Sequence, residues 1–339
     1  MPSPSTAVRI PPIARGRLQA LLQAATGQHV CIVGDAMLDL YLRGDVDRIS
    51  PEAPVPVVRV RERRQALGGA ANVAQNVAAL GAGCDLVAVI GDDRAGETLR
   101  TMLAAGGLPD RSLVTTARPT TTKTRVMARS QQLVRFDEED DADLAGADIA
   151  LVLGAIDAAL PRATALVFED YNKGVLVPAV IERAIRLAQA RGLPVVVDPK
   201  YRHFFAYRGA TVFKPNRREL EAALGAAVNL DDPAALPLTF SRLGVTYLLL
   251  TLGEQGMALV DADGTVHRVP TTAREVYDVV GAGDTVTAYL AAMLGAGATA
   301  LEAAIIANFA AGVEVGKLGA ATVTADEVLA AYDAHLDHP

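Results

Sequence analysis

From Val30 onward the chain alternates short, β-rich apolar runs with Ala- and Leu-rich stretches of helical period, and no other feature limits its possible folds as strongly. Strand-like runs at 30–33, 84–90, 165–168 and 195–197 are separated by helical stretches at 70–80, 95–105 and 177–191. Elements in this order predict right-handed βαβ units and a doubly wound, mostly parallel sheet of the α/β class, covered on both faces. Residues 38–61 and 121–136 depart from the pattern, with strand-like alternation and no intervening helix. They read as antiparallel strands forming a small β-lid apart from the main sheet. A lid with one apolar face and open edges needs a partner, so a homodimer through the lid is expected.

Residues 1–28 combine a Pro/Ser-rich start with an amphipathic segment, Arg17 to Ala25, and read as an N-terminal extension carrying no chemistry. Residues 29–339 read as one domain, with the lid as its appendage. Apolar residues at 51% supply a large core, and a net charge of −7 gives no general attraction for nucleic acid or anionic membrane. An anionic substrate must therefore be held by local Lys and Arg. No stretch reaches the roughly 18 apolar residues of a membrane span and the start lacks an apolar signal core, so a cytoplasmic location is expected. Cys31 and Cys84 sit in apolar strand-like runs without metal spacing, which predicts reduced, buried thiols. The acidic run from Asp137 to Asp143 reads as a solvated helix entrance.

The run Asp278-Val279-Val280-Gly281-Ala282-Gly283-Asp284-Thr285 precedes an apolar-periodic helix. Gly281 and Gly283 flank Ala282 and permit a tight turn whose N–H groups point outward where the helix begins, which makes an anion cradle. Asp284 falls in the first helical turn, where the helix terminus favours the carboxylate and leaves it able to take a proton from a hydroxyl. A cradle beside a base suits phosphoryl transfer, although a Gly-rich turn with an acidic cap would look the same. A second diglycine, Gly68-Gly69, opens another helix with Asn72 in its first turn, offering a donor and an acceptor to a polyhydroxylated ligand. Asp35, at the end of the first strand, stands where open α/β sheets bind ligands, and could accept sugar hydroxyls or merely close a turn. Asp39 reads as structural.

With both glycine motifs present and in this order, the chain resembles the ribokinase or PfkB carbohydrate kinase family from about Val30 to Ala334. The resemblance implies ATP as phosphoryl donor, Mg²⁺ as accompanying ion and direct transfer to a sugar hydroxyl. It makes Asp284 the base, and Gly281, Ala282 and Gly283 the anion hole. Lys214 to Glu219 resembles the family's N-x-x-E motif, which sets Asn216 near the nucleotide phosphates and Glu219 on Mg²⁺ through water. The same residues also satisfy a capping box, and the two readings are compatible. Thr251, Gly253 and Gly256 resemble the family's glycine turn beside the nucleotide, where a plain turn between strands is the alternative. Asn308, polar inside an apolar helix, either satisfies itself in the core or lines the adenine pocket. Asp278 and the backbone of Val280, with the loop 316–321, resemble a monovalent-cation site, with K⁺ as the ion.

Further runs, Gly44 to Val57, Lys123 to Val126, Arg135 to Asp137 and Asp170-Tyr171-Asn172-Lys173-Gly174, resemble the branch of the family that phosphorylates D-glycero-β-D-manno-heptose 7-phosphate. That resemblance implies phosphorylation at the anomeric oxygen to give the 1,7-bisphosphate, on the way to ADP-heptose for the lipopolysaccharide inner core of a Gram-negative bacterium. An acceptor that already carries phosphate needs cations, and Arg125, Arg135, Lys173 and Lys200 are the candidates. The bifunctional form of such enzymes continues into a nucleotidyltransferase domain. The chain stops at Pro339, so a separate nucleotidyltransferase is the expected partner. A fructose 1-phosphate or tagatose 6-phosphate kinase, and a non-catalytic sugar-binding regulator, are the competing readings.

Overall fold

Runs such as Val30 to Val33 or Val195 to Val197 carry no polar alternation, so a strand made from them must be covered on both faces. In the computed structural model, which describes residues 13–129, 131–232 and 236–337, that cover is what the helices provide. Helix α1 (Arg15–Ala25) leads into strand β1 (His29–Gly34). The hairpin β2 (Ala36–Ile49) and β3 (Pro56–Gly69) runs directly into α2 (Ala70–Ala79). Then come β4 (Gly83–Val87), β5 (Val89–Gly91), α3 (Arg94–Ala105) and β6 (Val114–Thr116). A second hairpin, β7 (Thr122–Ala128) and β8 (Gln131–Glu138), precedes α4 (Ala147–Ala159). β9 (Ala165–Glu169), α5 (Pro178–Ala190), β10 (Val195–Asp198), β11 (Val212–Phe213), α6 (Arg217–Leu224) and α7 (Leu236–Leu243) follow. The chain continues through β12 (Tyr247–Thr251), β13 (Met257–Asp261), β14 (Val266–Val269), α8 (Ala282–Gly295), α9 (Ala300–Glu314) and α10 (Ala325–Asp337).

The main sheet has eight strands in the order β14-β13-β12-β11-β10-β9-β1-β4, parallel from β4 to β12 and antiparallel through β13 and β14. Alternate residues of each strand enter different cores. Val30, Ile32, Val167 and Val196 face the core built with α2, α8 and α9, while Cys31, Val33, Phe168 and Val197 face the one built with α4 and α5. Both cysteines are buried and unbridged. The apolar run 84–90, expected as one strand, divides at Ala88. β4 joins the main sheet, and β5 turns away to pair with β6.

Helix α1 buries Leu18, Leu21 and Leu22 in the core and is clamped by Arg15–Asp333 and Arg17–Glu302 ion pairs. From Ile13 the N-terminal segment is thus part of the packed body, while the Pro/Ser-rich start, residues 1–12, lies outside the described residues.

β2, β3, β7 and β8 form a separate sheet in the order β3-β2-β7-β8. The expectation of antiparallel strands holds within each hairpin, but β2 and β7 pair in parallel, because the chain passes through α2 and α3 between the hairpins and returns in the same direction. β3 also extends to Gly69, well past residue 61. The strand period sorts the side chains of this sheet onto two unlike faces. Asp39, Tyr41, Lys123, Arg125, Arg135 and Asp137 share one, and Leu40, Leu42, Val126, Val134 and Phe136 share the other. Val134 and Phe136 are exposed.

Candidate functional site

Parallel strands bring their carboxyl ends to one edge of the sheet, and in this chain those ends are acidic. Gly34, Glu169 and Asp198 lie in register across β1, β9 and β10. Glu169 and Asp198 continue the faces of Val167 and Val196, the side on which α8 packs. The first turn of α8 therefore meets them. Carboxylate oxygens of Glu169, Asp198 and Asp284 all lie within 4.8 Å of one another, and the three residues are buried.

Asp284 is held by two long-range donors: Asn72 Nδ2 to Oδ2 at 2.7 Å and the Tyr171 hydroxyl to Oδ1 at 2.7 Å. Burial pushes its carboxyl up to about 6, against these two hydrogen bonds, with Asp198 adding repulsion and Lys214 opposing it. Its position at a helix start does not win over burial, yet it is still predominantly ionised at neutral pH. The turn before it needs glycine at 281, where φ is 99° and a Cβ would lie 3.1 Å from Asn72 Nδ2 and Glu314 Oε1. Gly281 offers no side-chain cap, so the first-turn N–H groups of Ala282, Gly283 and Asp284 are left to the cleft that Ala282 and Gly283 line.

That cleft, about 590 Å³, also gathers Asn216, Thr251, Gly253, Gly256 and Asn308, which lie far apart in the chain. Val276, Val279, Val286 and Val315 make much of its other walls apolar, with Glu254 and Thr271 among them. Asn308 satisfies itself, its Nδ2 donating to the Pro270 carbonyl at 2.8 Å, and the residue also lines the cleft. Asn216 and Glu219 complete a capping box on α6, and Glu219 Oε1 also accepts from Lys200 Nζ at 2.7 Å. Asp278 Oδ1 accepts from Val280 N, and Oδ2 from Gly319 N, so this carboxylate ties the 278–280 turn to the loop after α9.

Several assignments are corrected by these contacts. Asp35 does not offer its carboxylate to a ligand: it accepts backbone N–H bonds from Tyr171, Lys173 and Val175 at 2.8, 2.9 and 3.2 Å and is 1% exposed. Its work is to fold the 171–175 loop so that Tyr171 reaches Asp284. Asn72, expected to meet the ligand, spends one Nδ2 proton on Asp284 and is braced by Asn76. Lys200 lies between Glu219 and Asp198 and over the Tyr171 ring, so it does not stand with Arg125, Arg135 and Lys173. The acidic run 137–143 is not a helix entrance, since α4 begins only at Ala147. Asp137 pairs with Lys123 and Arg135, Glu139 with Lys173 and Lys123, and Asp143 with Arg202 and His203.

Arg125, Arg135 and Lys173 do converge on the polar face of the small sheet and its mouth. Each carries a carboxylate partner: Asp39 at 2.5 Å, Asp137 at 3.0 Å and Glu139 at 2.7 Å. Asp39, read as structural, has Arg125 as its side-chain partner and lies against Gly68, where a Cβ would come within 2.5 Å of Oδ2. Gly69 has φ of 58° and packs on the Asp35 carbonyl, so neither glycine accepts a side chain.

Sequence reasoning missed Glu169, Asp198, Lys214 and Tyr171. The signal for the first two was an acid closing each of two apolar runs, the same strand-end rule that had been applied to Asp35 alone. Lys214, 3% exposed, donates to Asp198 Oδ2 at 2.8 Å. Lys214 and Lys200 hold the Asp198 carboxyl below its usual range despite burial. Glu169 accepts no hydrogen bond at either oxygen, and burial, with Asp198 and Asp284 beside it, raises its carboxyl well above normal.

The profile described as "pfkB family carbohydrate kinase" matches residues 28–327. "Bifunctional protein HldE" of Rhodospirillum rubrum is 48% identical over 306 residues, covering 89% of this chain and 62% of that protein. The protein of the same name from Caulobacter sp. is 47% identical over 326 residues, covering 94% and 66%. The chain thus spans less than two thirds of the length of these relatives. Among solved structures, Escherichia coli phosphofructokinase-2 in complex with potassium superposes with a TM-score of 0.75 at 21% identity, covering 92% of this chain and 100% of that one. Arabidopsis thaliana ribokinase complexed with ribose and ATP gives 0.71 at 19%, covering 90% and 98%. The chain therefore belongs to the pfkB family of carbohydrate kinases, and is a sugar kinase of ribokinase-like fold.

Proposed function

We propose that this kinase transfers the γ-phosphoryl group of ATP to the anomeric hydroxyl of D-glycero-β-D-manno-heptose 7-phosphate, giving the 1,7-bisphosphate and ADP. The observation that carries the reading is the place of Asp284, held by Tyr171 and Asn72 where the cleft lined by Ala282 and Gly283 meets the carboxyl edge of the sheet. ATP lies in that cleft, with its base among the valines and Asn308 and its phosphates towards Asn216 and the start of α8. Asp284 takes the hydroxyl proton as the sugar oxygen bonds to phosphorus and the bond to ADP breaks. The free N–H groups of the first turn of α8 receive charge building on the migrating group. Glu219 has the hard oxygen chemistry that suits hydrated Mg²⁺, and would hold it through water; the ion, when bound, offsets phosphate charge. Asp278 and Val280 are the matching proposal for K⁺.

The acceptor reading rests on the lid runs quoted above and on relatives bearing the HldE name at 44–49% identity. Lys173, Arg125 and Arg135 meet the 7-phosphate, exchanging carboxylate partners for it, while Asp39 accepts sugar hydroxyls. The β2-β3-β7-β8 sheet acts as the lid, and its exposed Val134 and Phe136 face a second copy in a homodimer. Action in the cytoplasm, followed by a nucleotidyltransferase step, completes the proposal. No helix among the described residues is long and apolar enough to cross a membrane.

An ADP-release assay over a panel of acceptors tests the substrate. Turnover with heptose 7-phosphate and little with fructose 1-phosphate or tagatose 6-phosphate is the expected result. The reverse order overturns the acceptor assignment and leaves the kinase chemistry standing.

A further inference from the structure

We infer that Glu139 is a built-in competitor for the acceptor's phosphate, and that Lys123 joins Lys173 in the clamp it occupies; the inference rests on the phosphosugar reading above. Glu139 is the first residue after β8, and its carboxylate bridges two ammonium groups from different parts of the molecule. Oε1 accepts from Lys173 Nζ at 2.7 Å and Oε2 from Lys123 Nζ at 3.4 Å. Lys123 belongs to β7 of the lid, in register between Asp39 on β2 and Asp137 on β8, whereas Lys173 belongs to the 171–175 loop of the body. Their side chains are only 13% and 15% exposed, so a single anion lies between two largely buried cations. A phosphate monoester held between two lysines takes up the same arrangement. Arg135, two residues before Asp137 on β8 and half exposed, stands at the rim.

The charge count fits an exchange of Glu139 for phosphate. Lys123, Arg135 and Lys173 face Asp137 and Glu139, three cations against two anions. With Glu139 turned out to solvent the three cations face Asp137 alone, and the surplus of two positive charges matches a phosphate dianion. Lys173 is the fixed side of the clamp: Asp35 accepts from its N–H at 2.9 Å, and Arg118 donates to its carbonyl at 3.0 Å. Glu139 is the side able to leave, because it lies in the segment between the end of β8 and the start of α4 at Ala147, outside any strand or helix. A dianion outcompetes one carboxylate for two ammoniums, whereas a sugar without phosphate offers only neutral hydroxyls and leaves Glu139 in place. Selection of a phosphorylated acceptor then depends on what has to be displaced as well as on what is bound. With Lys123 on the lid and Lys173 on the body, the exchange also replaces a link made by the protein with one made through the substrate.

The test is inhibition by inorganic phosphate, measured at saturating ATP against the phosphosugar turned over in the acceptor panel, in wild type, Glu139→Gln, Lys123→Ala and Lys173→Ala. Phosphate is expected to compete with the acceptor, about tenfold more tightly in Glu139→Gln and about tenfold more weakly in each lysine variant. The sign separates the two roles, since loss of a merely structural ion pair loosens the clamp and does not tighten it. Glu139→Gln that is inhibited like wild type, or less, overturns the competitor role, and unchanged inhibition of Lys123→Ala removes Lys123 from the clamp. Phosphate that competes with the acceptor in none of the four proteins overturns the phosphosugar reading itself. Wild-type crystals soaked in tungstate decide the matter without any variant. Tungstate between Lys123 and Lys173 with Glu139 displaced supports the exchange, and tungstate bound elsewhere with Glu139 still bridging the two lysines overturns it.

Discussion

Two buried acidic clusters stand at different places on the same sheet, and they are built on opposite principles. Towards the strand starts, Asp85 on β4 is fully buried and surrounded: His29 at 2.8 Å, Arg111 at 2.8 Å, Arg162 at 2.8 Å and the Ser112 hydroxyl at 3.4 Å. Burial opposes its charge, but Arg162 and His29 outweigh that and keep its carboxyl below the usual range. At the carboxyl ends, Glu169 accepts no hydrogen bond, and Asp284 is pushed up to about 6. A saturated carboxylate pins β1, β4 and the segment before β9 together. An undersupplied one stores capacity for a proton, a metal or a substrate.

The sharpest way to break this comparison is to neutralise one acid in each cluster. Asp284→Asn should lower kcat by about 10²- to 10⁴-fold with ATP affinity nearly unchanged, read by steady-state kinetics and nucleotide titration. Near-normal turnover would remove Asp284 from the role of base. Asp85→Ala should do the converse, costing about 3 kcal/mol of unfolding free energy in denaturant while the folded fraction keeps its kcat, because Arg111, Arg162 and His29 lose their shared acceptor. A smaller effect is expected from Tyr171→Phe, about tenfold in kcat/KM. In the proposed role of base Asp284 must be ionised, so wild-type kcat/KM should be present above pH about 6 and fall as pH drops through it. Tyr171 helps hold that value down, so its loss should move the acid limb to higher pH. An unmoved limb would show that the Tyr171 bond does not reach the reacting carboxylate. The mildest change is Lys173→Ala, for which the KM for the phosphosugar should rise by about tenfold as one charge-assisted contact disappears. An unchanged KM would put the acceptor phosphate elsewhere.

Much of the site was legible because local chemistry leaves local signs. The turn at Gly281 demands glycine wherever it folds, and Asn216 with Glu219 caps a helix using residues three apart. The acceptor side was less legible. Asp35 looked like a strand-end acid open to a ligand and Asp39 like a structural one, and only the path of the 171–175 loop shows that Asp35 is consumed by backbone amides. The four proposed phosphate cations could be named from sequence, but not that Lys200 stands apart with Glu219 and Asp198, nor that each already holds an acid.

The sequence by itself determined the α/β class, the two helix-opening glycine turns, the place of Asp284 in the first turn of α8 and, by motif, the group of Asn216, Thr251, Gly253 and Gly256. These depend on period, backbone freedom and short spacing, which are properties of neighbours along the chain. Only the tertiary structure decided that Glu169, Asp198 and Asp284 share one small volume, that Tyr171 and Asn72 hold Asp284, and that β2 lies parallel to β7. Those relations join residues more than a hundred positions apart in places, and strand register together with the packing of α8 on the sheet fixes them.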